Sequence, residues 1–212
     1  MYDYILFDLD GTLSDTSEGV TKGIQIALRA FGIEEERDNL RKFIGPPLQY
    51  SFSTFYGFEG EKLNRAIEIF REYYVGGGMY ENTPYPGLDR LLTEIRESNR
   101  PLIVTTSKLE TAAIDVLTRN GLIGYFDRVI GATSDGTRTT KQDVLEEFLR
   151  VYNVTDRSRA VLIGDTRFDA EGAVALGIDC IGVLYGFGTE EELIASGVKY
   201  IAPAVEDISR YL

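Results

Sequence analysis

Histidine is missing altogether from this 212-residue chain, tryptophan is missing too, and cysteine occurs once. Each absence closes off some chemistry. Without histidine there can be no Ser-His-Asp triad, no Cys-His pair, no phosphohistidine and no His-ligated zinc. With Cys180 alone no intramolecular disulfide can form, which is the usage expected of a reducing compartment. That thiol also fails as a nucleophile of the cysteine-x5-arginine type, because the sixth residue after it is Gly186. No apolar run approaches the roughly 18 residues that span a bilayer, and the residues from Met1 to Ile5 carry no basic leader. The expectation is an unprocessed, cytoplasmic protein that does not enter a membrane.

Basic residues are in deficit as well, with 22 Lys and Arg against 34 Asp and Glu and a net charge of -12. A surface that tracks nucleic-acid phosphates rests on clustered Lys and Arg, so a long polyanion is excluded as a partner. A small phosphorylated metabolite is not excluded, since one divalent cation and one or two lysines reverse the sign of the field locally. What is left is carboxylate, hydroxyl, lysine and metal chemistry.

Apolar runs rich in β-formers recur along the chain: Tyr4 to Asp8, Pro101 to Thr106, Val129 to Gly131, Ala160 to Asp165 and Ile178 to Leu184. Several end in a polar residue, as buried strands do when they run out toward a site. Helical stripes lie between them, at Ala112, Val116 and Leu117 with a Gly121 stop, and at Val144, Leu145, Phe148 and Tyr152. Alternating strands and helices predict an α/β fold, a Rossmann-like doubly wound parallel sheet with ligands beyond the carboxyl ends of its strands. From residue 15 to residue 84 the strand signals vanish and amphipathic stretches such as Leu63, Ala66, Ile67, Phe70 and Tyr74 take over. This predicts an inserted helical cap over 15–84, with 1–14 and 85–212 forming the core. The Gly11 loop, Gly76 to Gly78 and the Pro84 to Gly87 turn are its candidate hinges.

The residues that carry chemistry stand at these strand ends. Phe7-Asp8-Leu9-Asp10-Gly11-Thr12-Leu13 sets two carboxylates two residues apart, on a shared face until the chain turns, and such a pair is costly without a cation. Val104-Thr-Thr-Ser-Lys108 ends a second strand in hydroxyls. Lys141 opens a helix, where its charge opposes the macrodipole unless an anion sits nearby. Gly164-Asp-Thr-Arg-Phe-Asp-Ala-Glu-Gly-Ala173 brings Asp165 and Asp169, four residues apart around a strand-to-helix turn. Taken singly, each has a plain structural reading, as a solvated turn, ordinary strand residues or an N-terminal-turn acid.

Together, in this order and at these separations, the four segments resemble the motifs of the haloacid dehalogenase superfamily, over essentially the whole chain. The resemblance implies a phosphatase that hydrolyses a small organic phosphate monoester through an aspartyl-phosphate, with Mg²⁺ as cofactor. Asp8 would be the nucleophile and Asp10 the proton donor and acceptor. Thr106, with Thr105 as the one-residue alternative, Ser107 and Lys141 would grip the phosphoryl oxygens. Mg²⁺ would be held by Asp8, the Asp10 carbonyl and Asp165, with Asp169 orienting its waters or Lys141. Lys108 reads as a simple surface lysine.

Departures within the superfamily narrow the reaction. The dehalogenating branch lacks the second acid, which is present here as Asp10. The sugar-phosphate mutases place a His after the first motif, and Asp15 to Val20 has none; the phosphonate-hydrolysing branch needs a cap lysine that the Gly45 to Gln49 segment does not supply. Ile44-Gly-Pro-Pro-Leu48 is similar to the cap of phosphoglycolate-phosphatase-like members. Phosphoglycolate, a nucleoside monophosphate as for a 5'-nucleotidase, pyrophosphate and a sugar phosphate all remain open as substrates. A phosphomutase or a non-catalytic binding protein are the rival classes. Lys22, Arg41 and Lys42 are candidate cap contacts for a substrate anion, and a monomer is expected.

Overall fold

A computed structural model describes residues 2–212. The chain runs through β1 (Tyr4–Phe7), β2 (Ser14–Asp15), α1 (Ser17–Arg29), α2 (Leu48–Tyr56), α3 (Gly60–Val75), β3 (Thr83–Pro84), α4 (Leu88–Glu97) and β4 (Leu102–Leu109). It continues through α5 (Glu110–Arg119), β5 (Arg128–Ala132), α6 (Lys141–Val151), β6 (Ala160–Gly164), α7 (Arg167–Ala175), β7 (Asp179–Val183), α8 (Glu190–Ala195) and β8 (Tyr200–Ala202). Among the described residues no helix is long and apolar enough to cross a membrane.

Six strands form one parallel sheet in the order β5-β4-β1-β6-β7-β8, as the alternating pattern predicts. Side chains alternate across it because successive Cβ atoms point to opposite faces. Ile5, Phe7, Val104, Val161 and Ile163 join one apolar cluster, while Leu6, Ile103, Leu162 and Cys180 join another. Val144, Leu145 and Phe148 of α6 and Ala170 and Ala173 of α7 cover the second face. Leu91, Leu92 and Ile95 of α4 with Ala113, Val116 and Leu117 of α5 cover the first. Burial on both faces explains why the strands read as continuous apolar runs and not as alternating ones.

Strand order has a functional consequence. The chain starts in the middle at β1, places β4 and β5 on one side, then crosses back to lay β6, β7 and β8 on the other. The connections therefore diverge around β1, and such a reversal opens a crevice at the carboxyl ends of the central strands.

Between β2 and β3 the structure is helical. These two-residue strands pair with each other, Ser14 opposite Pro84 and Asp15 opposite Thr83, so the chain leaves and re-enters the sheet region at adjacent points. Neither this ribbon nor α4, α8 and β8 is among the elements expected from the sequence; α8 and β8 are too short to show a period, whereas α4 carries a regular, readable stripe of Leu88, Leu91, Leu92 and Ile95. Ile24, Leu28, Phe43, Phe52, Phe58 and Phe70 of the helical stretch belong to the same apolar cluster as the first face of the sheet. Phe52 is central there, 5.2 Å edge-on from Phe43 and 5.7 Å in a stack with Phe58.

A continuous core of this kind couples the helices to the sheet. Ile5→Ala in β1 and Phe52→Ala in α2, both in this cluster, should each cost about 3 kcal/mol, the usual range for emptying a buried site. Urea unfolding followed by circular dichroism and by tyrosine fluorescence should give one coincident transition for each variant; two separated transitions for Phe52→Ala would contradict the shared core.

Candidate active site

Register brings the functional residues together. Phe7 lies opposite both Val104 and Ile163, so the next residues out, Asp8, Thr105 and Gly164, are level at the edge of the crevice. The Asp8 N–H donates to the Ile163 carbonyl at 2.9 Å, which carries β1 one residue further and sets the direction of the Asp8 side chain. Asp165 follows β6 directly, and Asp169 sits in the first turn of α7. Carboxylate oxygens of Asp8, Asp165 and Asp169 all lie within 4.8 Å of one another, and all three residues are buried.

Each acid is held by different means. Asp169 closes a capping box, its Oδ2 accepting from the Thr166 N–H at 3.0 Å and from the Thr166 hydroxyl at 2.9 Å. Asp165 accepts from the Thr12 hydroxyl at 3.1 Å and from the Phe187 N–H at 2.8 Å. Glycine makes room for it: Gly11 has φ +86°, and a Cβ there would stand 2.1 Å from Asp165 Oδ2, while one on Gly186 would stand 2.3 Å from Asp165 Cβ. Lys141, the first residue of α6, puts its ammonium 2.8 Å from Asp8 Oδ1, 2.8 Å from Asp169 Oδ1 and 2.7 Å from the Thr105 carbonyl, to which it donates.

The charges do not balance. Three buried carboxylates face one buried ammonium, and at an effective dielectric of about 20 two like charges this close repel by roughly 3 kcal/mol. Lys141 serves Asp8 and Asp169; Asp165 has only a hydroxyl and an N–H. Burial, reinforced by Asp169 and Asp8, accordingly holds the Asp165 carboxyl well above its ordinary range. Burial likewise pushes Asp8 up from 3.8 to about 6, even though Lys141 pulls the other way. For Lys141 burial opposes the charge, but Asp169 and Asp8 outweigh it and keep the ammonium firmly protonated. Lys141 approaches Asp8 Oδ1 as an ion pair without hydrogen-bond geometry, leaving a buried oxygen with no hydrogen bond. All-oxygen donors, an orphaned carboxylate oxygen and net negative charge suit a hard divalent cation, and the residues fit that group without rearrangement of their roles.

Asp10 is placed differently from the close acid pair that the sequence suggests. Its carboxylate turns to Lys108, whose ammonium lies 2.7 Å from both of its oxygens. Lys108 is therefore no surface lysine: its side chain is 7% exposed, and Asp10 and Tyr74 together overcome the cost of burial and raise its pKa. Charge on Asp10 is met by a lysine, not by a cation shared with Asp8. The amphipathic stripe of α3 already put Tyr74 on its buried face, but nothing in the sequence joins it to Lys108.

A cavity of about 170 Å³ opens over Asp8 and Asp10, lined on the sheet side by Thr106, Ser107 and Lys108 and on the helical side by Gly45 to Gln49, Phe70, Arg71 and Tyr74. Thr106 faces this space and Thr105 does not line it; the Thr105 hydroxyl is buried with no hydrogen-bond partner. None of the three expected cap cations lines the cavity. Lys22 pairs with Glu18 and Glu81 at 2.8 Å each, Arg41 lies over the Phe187 ring and Lys42 over Phe55. Arg71 and Gln49 take that place, and a helical wheel alone does not distinguish Arg71 from its solvated neighbours. The Phe187 N–H was equally hidden, its only trace being the glycines on either side.

Comparison with known proteins finds relatives over most of the chain. The family described as haloacid dehalogenase-like hydrolase matches residues 5–183. A 5'-nucleotidase of Pseudomonas aeruginosa is 38% identical over 195 residues, covering 92% of this chain and 88% of that protein. A phosphoglycolate phosphatase of Aquifex aeolicus is 27% identical over 184 residues, covering 86% and 85%. The crystal structure of a predicted phosphatase from Clostridium acetobutylicum superposes with a TM-score of 0.96 at 39% identity, over 100% of this chain and 98% of that one. With the four motifs gathered at one strand edge and a family match over most of its length, this chain belongs to the haloacid dehalogenase-like hydrolases.

Proposed function

We propose that the chain is a Mg²⁺-dependent phosphatase that hydrolyses a small phosphate monoester through a phosphoryl group carried transiently on Asp8. One observation carries this reading: Asp8 belongs both to the three-acid cluster and to the lining of the cavity. It is thus the carboxylate through which a cation on one side and a substrate on the other would meet. The relatives named 5'-nucleotidase and phosphoglycolate phosphatase support a phosphate-ester substrate.

In this account a carboxylate oxygen of Asp8 attacks phosphorus in line and the ester oxygen departs on the opposite side. Asp10 gives the leaving oxygen its proton, then takes one from the water that hydrolyses the aspartyl-phosphate, so the acid returns to its starting state. The Thr106 hydroxyl, the Ser107 backbone and the Lys141 ammonium stabilise the equatorial oxygens. Asp8, Asp165 and the Asp10 carbonyl would hold Mg²⁺, with Asp169 fixing Lys141; the ion supplies neutralising charge between nucleophile and phosphoryl group. Residues 15–84 act as a cap that shuts the cavity from water, and 1–14 with 85–212 form the catalytic core. The substrate is a small phosphorylated metabolite, the protein works as a monomer, and the buried, unpaired Cys180 suits a cytoplasmic setting.

Asp8→Asn keeps the side-chain shape and removes the nucleophile. Phosphate release from p-nitrophenyl phosphate should fall on the order of 10⁴-fold or more, with an unchanged circular dichroism spectrum. A variant that keeps a tenth or more of the rate, on the order assumed for a spectator carboxylate, would remove Asp8 from this role.

The raised carboxyls give a second test. With no ion bound, a carboxyl lifted from 3.8 to about 6 favours the fold below its ordinary pKa and loses that contribution as pH rises through about 6. A cation binds only the ionised form, so protons and metal compete. Added Mg²⁺ should therefore raise the thermal midpoint clearly at about pH 7.5 and little at about pH 5. Equal shifts at both pH values, or none in either, would place the ion away from these acids.

A further inference from the structure

Lys108 is saturated. An ammonium has three N–H donors, and here two go to the carboxylate oxygens of Asp10 and the third to the Tyr74 hydroxyl, all at 2.7 Å. The two partners come from distant parts of the chain, Asp10 from the loop after β1 and Tyr74 from the last turn of α3. Lys108 itself sits where the pairing of β4 with β5 loses register between Thr105 and Leu109, and such an irregularity re-aims side chains beside a site. The Thr106 hydroxyl accepts from the Lys108 N–H at 3.2 Å and fixes that turn. Tyr74 is fixed in its turn by Phe70, stacked on it at 5.1 Å, and Phe70 packs so closely against α1 that a Cβ on Gly23 would stand 2.9 Å from its ring. Asp10, Lys108 and Tyr74 all line the cavity over Asp8.

A buried charged pair is a poor way to gain stability, because the desolvation cost offsets most of the attraction. What the clamp does fix is orientation. We propose that Lys108 and Tyr74 are positioning residues that aim the Asp10 carboxylate at the leaving oxygen and make that aim depend on where α3 lies. The proposal rests on Asp10 being the proton donor and acceptor, as set out above. Its consequence is that proton delivery is complete only with the helical segment docked, so that an open cavity binds phosphate esters but turns them over slowly.

Leaving-group dependence tests this. A p-nitrophenolate departs with little need of a proton, whereas an alkoxide requires one, so misaimed Asp10 should hurt alkyl esters selectively. With saturating Mg²⁺, Lys108→Met should lower kcat/KM on the order of a hundredfold for phenethyl phosphate and less than about tenfold for p-nitrophenyl phosphate. This parameter stops at departure of the alcohol and omits the hydrolysis of aspartyl-phosphate that both esters share. Tyr74→Phe keeps the ring and should lower kcat/KM about tenfold on the alkyl ester alone. The double variant should be no slower than Lys108→Met, because both act through one carboxylate. Equal losses on the two esters, or a Tyr74→Phe enzyme indistinguishable from wild type, would overturn the proposal; the latter variant carries the test even if Lys108→Met does not fold. Asp10→Asn separates the two levels of inference. If it shows the alkyl-selective loss in kcat/KM and the Lys108 and Tyr74 variants do not, only the positioning claim falls; if Asp10→Asn loses kcat/KM on both esters alike, the proton-transfer reading falls and the positioning claim with it.

Discussion

Three carboxylates buried within 4.8 Å of one another, with a single ammonium among them, are the constraint on which the rest of this structure turns. Left alone, such a cluster would protonate, relax toward water or draw in a cation. The protein blocks the second course by tying Asp165 to Thr12 and Phe187 and Asp169 to Thr166. The Lys141 ammonium goes to Asp8 and Asp169 and leaves Asp165 with neutral donors, so that without a cation burial favours the protonated form of Asp165. A divalent cation then relieves most where the compensation is least, between Asp165 and Asp8.

The fold supplies that constraint cheaply. Parallel pairing of β1 with both β4 and β6 sets three strand ends level, and the reversal of strand order around β1 leaves a crevice there without any special backbone. Helix starts do the rest. Lys141 and Asp169 both lie in first turns held by capping boxes, so two of the charged groups are positioned by local backbone and not by long-range packing. The helical stretch adds the opposite wall of the cavity, and its aromatic cluster merges with the sheet core, which ties the wall's position to the sheet.

Much of this was legible in the residues. Apolar runs ending in Asp8, Thr106 and Asp165 marked the central strands, because burial on both faces leaves no polar residue until the strand reaches solvent or a site. Asp8, Lys141 and Asp165 stood out because their charges made little sense where the local pattern put them, whereas Asp169 suited its helix start and was singled out by the resemblance alone. What stayed hidden was pairing between elements far apart in sequence. Lys108 looked like a surface lysine because its acceptors, Asp10 and Tyr74, are 98 and 34 residues away and converge only through the fold. Arg71 faces the cavity for the same kind of reason, and the cations near the expected cap contacts are drawn off by Glu18, Glu81 and aromatic rings. Short elements such as β8 and the β2–β3 ribbon carry too few residues to show a period at all.

A crystal structure grown with Mg²⁺ is the most direct examination of the central claim. The account predicts an ion that would be held by Asp8, Asp165 and the Asp10 carbonyl, with Lys141 still bridging Asp8 and Asp169. An ion bound elsewhere, or an Asp8–Asp165 pair that stays metal-free and protonated at neutral pH in saturating Mg²⁺, would contradict it.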